Sequence, residues 1–336
     1  MSDDVSQGRA SGSARGFQAP PDGFDPLAAS AAQLAQHGLP RRPDREREPF
    51  LAARWAKTFG QPLSIVRADL AIEPIAPPRP SAPPDFSVDG WAGVARRMLR
   101  PRFEDPEFGG ASAAADPYVR PATFISAEWV VPRLMGDPGD FDAYISIWVG
   151  LDGFPRADED LEYSATPQQI LRAGVQASSN SSGTEFEWVG WIEWYTTELG
   201  GTRASVENFP VQSGDRVGVV VCVPEPKSAA VFFANLSRDH GTSVPLDAPA
   251  PHLRSAGVTA QWIVEGYDPS ISLPFSPVTF ESCVAGSSDE VFHLTPDAVE
   301  TNMFKLDGIG EPGPDVTTTR IASPTTAEVE WIGAPA

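Results

Sequence analysis

Cysteine, histidine and lysine are all scarce in this 336-residue chain. Its two cysteines, Cys222 and Cys283, lie far apart, and His37, His240, His252 and His293 are dispersed. No zinc-ligand spacing results, so no metal site is expected, and nothing calls for a disulfide. Lys57, Lys227 and Lys305 are the only lysines, so nearly all positive charge is arginine. No run approaches the roughly 18 apolar residues of a membrane helix. The stretch from Met1 to Asp25 is polar and lacks the apolar core of a signal peptide, which makes the cytoplasm the default location, with export by another route left open. A P-loop, a dinucleotide-binding glycine pattern, a Gly-x-Ser-x-Gly elbow and a zincin helix are also missing. The usual nucleophile and cofactor machinery is therefore absent, and no cofactor is expected.

Acid is what the chain has in quantity. Asp plus Glu number 45 against 25 Lys plus Arg, for a net charge of -20. Such a surface repels phosphate backbones and anionic lipid, which argues against nucleic acid and membrane partners. The imbalance is uneven. Residues 1–107 carry 14 acids and 14 bases, whereas 108–336 carry 31 and 11. The length suits about two domains of roughly 150 residues, or one all-β unit of up to about 250 with an extension. Either can bury a sizeable core.

The texture changes at the same boundary. Residues 1–25, rich in Ser, Gly, Asp and Pro, read as disordered. Asp25-Pro26 followed by an alanine-leucine run and Gly38 predicts a short helix over about 25–37. Phe50, Leu51, Trp55 and Phe59 predict a second over 48–59. Prolines crowd 74–84, where fixed φ and missing N–H groups favour an extended linker, and Trp91–Leu99 suggests one more short helix. From 108 onward, short alternating runs rich in Val, Ile, Phe and Trp alternate with Gly, Pro, Asp and Ser clusters, an all-β pattern. Ten strands are expected: Thr123–Val131, Tyr144–Gly150, Gln169–Gln176, Phe186–Tyr195, Arg216–Val223, Ala229–Leu236, Gln261–Glu265, Val278–Phe280, Thr317–Ile321 and Glu328–Ile332. So many antiparallel strands need two packed sheets or a barrel, and their irregular spacing favours the two-sheet β-sandwich.

The residues left to carry chemistry are carboxylates inside aromatic strands, notably Asp152, Glu193 and Glu265. A carboxylate between large apolar residues is costly to ionise unless paired. Taken alone, each also reads as an ordinary outward-facing strand residue. Trp129, Trp148, Trp188, Trp191, Trp194 and Trp262 read first as core and second as a substrate groove.

The order of the pieces resembles one family. From 108 the chain runs Phe108-Gly109-Gly110-Ala111, Phe124 to Pro132, Trp148-Val149-Gly150-Leu151-Asp152-Gly153, Ile170-Leu171-Arg172-Ala173-Gly174 and Trp191-Ile192-Glu193-Trp194-Tyr195. It continues through Ser213-Gly214-Asp215, Asn235-Leu236-Ser237, Ala260-Gln261-Trp262-Ile263-Val264-Glu265 and Ser276-Pro277-Val278-Thr279-Phe280. This succession is similar to the glutamic peptidases, or eqolisins. The resemblance implies a concanavalin A-like sandwich of two antiparallel sheets with a cleft for polypeptide, in a monomer needing no cofactor. It implies acid peptide hydrolysis by a Glu, as general base and then acid, and a Gln whose amide positions water and stabilises the oxyanion. Glu265 would be the catalytic glutamate, Trp148 and Asp152 part of the supporting wall, and Glu193 a second acidic cleft residue.

The same resemblance marks three departures. The catalytic Gln position is Arg172, the acidic residue often found four places later is Gln176, and the Asn-Trp near the family's domain start reads Glu107-Phe108. A guanidinium beside Glu265 would pair with it and make it a poorer general acid. Arg172 could itself serve an oxyanion, or Gln168 or Gln176 could bring an amide, although four residues along a strand is about 13 Å. The alternative function is a catalytically inactive sandwich that binds peptide or glycan. Residues 1–107, neutral and clustered at Arg41, Arg42, Arg45 and Arg47, would lie over the cleft as a propeptide does or form a flexible extension; the extension is favoured.

Overall fold

In the computed structural model, the described residues are 17–21, 23–47, 49–61, 63–75, 90–98, 122–135, 145–153, 169–179, 185–196, 200–225, 227–250, 255–266, 273–287, 291–294, 298–306 and 312–333. Two helices come first, α1 (Ala31–Gln36) and α2 (Pro49–Phe59), then β1 (Ser64–Arg67), β2 (Leu70–Ile75) and β3 (Trp91–Arg97). The body of the protein is β4 (Phe124–Val130), β5 (Ile145–Asp152), β6 (Gln169–Ser179), β7 (Phe186–Thr196), β8 (Gly200–Val206), β9 (Arg216–Glu225), β10 (Ser228–Asn235), β11 (His240–Asp247), β12 (Thr259–Gly266) and β13 (Val278–Gly286). After these come β14 (Val291–His293), β15 (Val299–Thr301), β16 (Phe304–Leu306), β17 (Pro312–Asp315), β18 (Thr317–Ser323) and β19 (Thr326–Trp331).

The strands form the expected two-sheet sandwich. One sheet runs β1-β11-β10-β9-β4-β13-β19-β18, with β14 also on β13; the other runs β15-β3-β12-β5-β6-β7-β8-β2. Neighbours are antiparallel except β1 and β11, and β16 and β17 pair separately. Alternation decides what faces inward. Ile125, Ala127 and Trp129 of β4 meet Ile147, Val149 and Leu151 of β5, and Trp262 reaches across to donate its indole N–H to the Ser126 carbonyl at 3.1 Å. Burying each large side chain of this layer contributes about 1.5–3 kcal/mol.

The segment before residue 107 departs most from expectation. The helix expected at Trp91–Leu99 is strand β3, held between β12 and β15. Ala92 and Val94 enter the inter-sheet core while Trp91 takes the opposite face, so pairing with β12 satisfies both faces at once and overrides helix propensity. Gly93 permits the close approach: its φ is +147°, and a Cβ there would meet the Trp262 carbonyl oxygen at 2.1 Å. β1 and β2 add edge strands, and Pro74 is tolerated on the edge strand β2. The first helix starts later than Asp25 because Ser30 and Gln33 form a reciprocal capping box, leaving 26–28 as a turn. Of the disorder expected over 1–25, residues 1–16 and 22 lie outside the described residues, as does the linker beyond Ile75, whereas Phe24 packs against the helical layer.

The helices lie on the outer face of the first sheet. Trp55 and Phe59 pack over Phe232, with Leu34 and Leu39 beside them and Phe24 at the margin. Glu128, 3% exposed on the outer face of β4, anchors the layer by accepting Arg54 at 3.1 Å and Lys57 at 3.5 Å, together with Arg216 at 3.0 Å. Residues 24–63 therefore lie on the sheet opposite the one that carries Glu265, and neither a flexible extension nor a cleft cover describes them.

Burial opposes ionisation of Glu128, but Arg54, Arg216 and Lys57 outweigh it and hold the carboxyl below its ordinary value of 4.5. The pairing thus stabilises the fold above that value and is lost as pH falls through the lower folded-state value. Protection factors of the α2 amides, referred to the intrinsic exchange rate at each pH, should fall on acidification below about 4.5. In Glu128→Gln that pH dependence should disappear. Phe232→Ala should cost about 3–5 kcal/mol in chemical denaturation; a cost under about 1 kcal/mol would show that the helical layer is not docked.

Candidate active site

Cross-strand register on the second sheet's outer face builds a lattice from β3, β12, β5, β6, β7 and β8. One row reads Trp91, Glu265, Ser146 and Gln176; the next, Gly93, Ile263, Trp148, Gly174 and Trp191; the next, Ala95, Gln261, Gly150, Arg172, Glu193 and Arg203. Large and absent side chains alternate. Gly174 stands between Trp148 and Trp191, and a Cβ there would meet the Ile147 carbonyl oxygen at 2.0 Å. The long side chain of Arg172 lies along this lattice, its guanidinium carbon 5.3 Å from the Trp148 ring centroid and 5.2 Å from that of Trp191. Stacked between two indoles, the cation is held by ring quadrupoles as well as by charge.

The guanidinium bridges the two carboxylates. Arg172 Nη1 donates to Glu265 Oε2 at 2.7 Å, and Nε and Nη2 each reach Glu193 Oε1 at 2.9 Å. Glu265 Oε2 also accepts from the Trp148 indole at 2.8 Å. The three charged side chains are 14%, 4% and 14% exposed for Arg172, Glu193 and Glu265. Burial disfavours the charged guanidinium, yet Glu193 and Glu265 outweigh it and hold Arg172 above its ordinary value. Arg203 extends the network, approaching Glu193 Oε2 at 3.6 Å, stacking 4.4 Å from the Trp191 centroid and donating to the Gln176 carbonyl oxygen.

Arg172, Glu193, Glu265, Trp148 and Gln176 thus share one face. Gln176 Oε1 is taken by Ser146 Oγ at 3.0 Å and by Arg203. Gln168 lies outside the described residues. Asp152 occupies the same sheet face farther along β5, but its oxygens accept from Ser255 Oγ and the Ala256 and Val258 amides at 2.8–3.0 Å. Burial pushes its carboxyl up, against these bonds. It fixes the turn into β12 and does not touch the Arg172 network.

Sequence reasoning missed Trp91 and Arg203. Trp91 packs edge-on against Trp148, centroids 5.0 Å apart, on the strand beside Glu265. Glu107 and Phe108, where the resemblance placed the family's Asn-Trp, lie outside the described residues. Arg203 was detectable: Thr202, Ala204 and Val206 alternate with Arg203 and Ser205 in strand β8.

Among known proteins, the model of the Peptidase A4 family matches residues 106–331. A search of the curated proteins finds no match. Among solved structures, scytalido-glutamic peptidase bound to a transition-state analogue inhibitor is similar at 19% identity, over 73% of this chain and 98% of that one, with a TM-score of 0.51. A second structure of that enzyme, with a peptide-based analogue, gives 20% identity, the same coverage and a TM-score of 0.50. Aspergilloglutamic peptidase from Aspergillus niger is similar over 56% of this chain and 99% of that one, at 21% identity and a TM-score of 0.43. With a family match over most of its length on a two-sheet sandwich, the chain belongs to the Peptidase A4 family, the glutamic peptidases or eqolisins.

Proposed function

We propose that this family member binds a polypeptide along the tryptophan-lined face of the second sheet but hydrolyses it slowly or not at all. The observation that carries this reading is the guanidinium of Arg172 inserted between Glu265 and Glu193. Peptide hydrolysis by a Glu and an amide needs two things at this spot: a carboxylate that can take a proton from water, and a neighbouring group that both orients that water and donates to the oxyanion. A guanidinium has donors and no acceptor, so it cannot take a hydrogen from the attacking water as an amide carbonyl does. Its Nε, Nη1 and Nη2 are all engaged by carboxylates, and Glu265 Oε2 already accepts two hydrogen bonds. Gln176 cannot stand in while its carbonyl is held by Ser146 and Arg203. What survives is a row of buried indoles under charged side chains that keep partial exposure, Arg172, Glu265 and Arg203, which supply hydrogen-bonding groups to an extended peptide.

Digestion of an unfolded protein at acidic pH tests this reading. The full chain should cleave slowly or undetectably, Arg172→Gln should cleave at least tenfold faster, and Glu265→Gln in that background should abolish the gain. Wild-type turnover as fast as that of Arg172→Gln, or undiminished by Glu265→Gln, would refute it. Arg172→Met, which strands both carboxylates in a buried setting, should cost about 3–5 kcal/mol in denaturant melts at neutral pH.

A further inference from the structure

The face of β4 that points away from the inter-sheet core is nevertheless buried: Phe124, Ser126 and Glu128 are 7%, 2% and 3% exposed. The helical layer covers them, but not flush. It touches the sheet through Trp55 and Phe59 over Phe232, and beside that contact a cavity of about 530 Å³ remains between the helices and β4 and β9. This is the size of a small-molecule pocket, far larger than a packing defect. Leu39, Trp55, Phe124 and Val220 supply apolar wall.

The polar side chains on the same space are Arg41, Arg54, Thr58, Thr123, Ser126 and Ser287. Among the described residues, Nε and Nη1 of Arg54 and Oγ of Ser126 are buried without a hydrogen-bond partner. Nη1 lies 3.1 Å from Glu128 Oε1, an ion pair by distance, but Arg54, Lys57 and Arg216 share only Glu128 and Glu281. The local balance leaves one cation in excess. Burial pulls the Arg54 guanidinium below its ordinary value despite Glu128. Arg54 Nε and Nη1 and Ser126 Oγ are shielded, and it is the partly exposed remainder of the Arg54 side chain that faces the cavity.

We propose that this cavity binds a fatty acid, its carboxylate paired with the Arg54 guanidinium and its alkyl chain lying along Leu39, Trp55, Phe124 and Val220. The excess positive charge calls for an anion, and the walls call for a tail that needs no hydrogen bonds. A sugar or nucleotide would leave its polar groups unpaired against them. Covalent capture is not the chemistry, because burial pushes the thiol of Cys222, also on the cavity wall, up to about 12. The pocket lies on the opposite sheet from Glu265 and does not depend on the peptide-binding reading.

Titration of the full-length chain with dodecanoate, by calorimetry and native mass spectrometry, tests the site. One dodecanoate should bind per chain, and 1-dodecanol, which lacks the charge, at least tenfold more weakly. Arg54→Gln should weaken dodecanoate binding at least tenfold and erase the difference from the alcohol. Because Arg54 also holds Glu128, Ala35→Trp serves as a second variant. Ala35 is exposed on α1 and lines the cavity, so the larger ring should obstruct both ligands at least tenfold while leaving the melting temperature unchanged. Absence of saturable dodecanoate binding, equal affinity for acid and alcohol, or wild-type affinity in Ala35→Trp overturns the proposal.

Discussion

Both sheets of this sandwich carry large apolar side chains on both faces, and the rest of the structure answers that constraint. A two-layer sandwich covers only the two inner faces. The outer face of the first sheet, with Phe232, Ala234 and Val220, is covered by the helices of residues 24–63. The outer face of the second, with Trp91, Trp148, Ile170, Trp191 and Ile263, is bridged by arginines. The N-terminal segment and the Arg172 network are thus two solutions to one problem of double-sided burial.

Each solution places ions where water is scarce, and each relies on a carboxylate shared by several cations. Glu128 receives Arg54, Lys57 and Arg216 under the helical layer; Glu193 receives Arg172 and Arg203 beneath the indoles. Buried pairs of this kind add little net stability over apolar packing but are destructive to break. They therefore hold the elements they join in one arrangement. At the second site that rigidity bears on chemistry, because the guanidinium stacked between Trp148 and Trp191 holds Glu193 and Glu265 at once.

Much of this was legible from residue order. Alternation in β4, β5, β6, β7, β9, β10 and β12 was strong enough to mark strands, and the motif succession to Glu265 placed Arg172, Glu193 and Glu265 together before any coordinates. Strands that β-sheet pairing creates out of weak signals were not legible. The stretch 91–97 has apolar residues at spacings that serve a helix as readily as a strand, and only β12 beside it selects the extended form. Asp152 looked like part of the cleft because it shares a motif with Trp148, yet its carboxylate turns to three donors of residues 255–258.

The sequence by itself determined the class of fold, the family and the absence of the common cofactor motifs, since each is a matter of residue type and spacing. Tertiary structure alone decided that the neutral N-terminal segment joins both sheets, and that Arg172 grips two carboxylates at once. Those outcomes depend on which strands become neighbours. Register between segments a hundred or more residues apart is set by burial of both faces together, and no local window of sequence contains it.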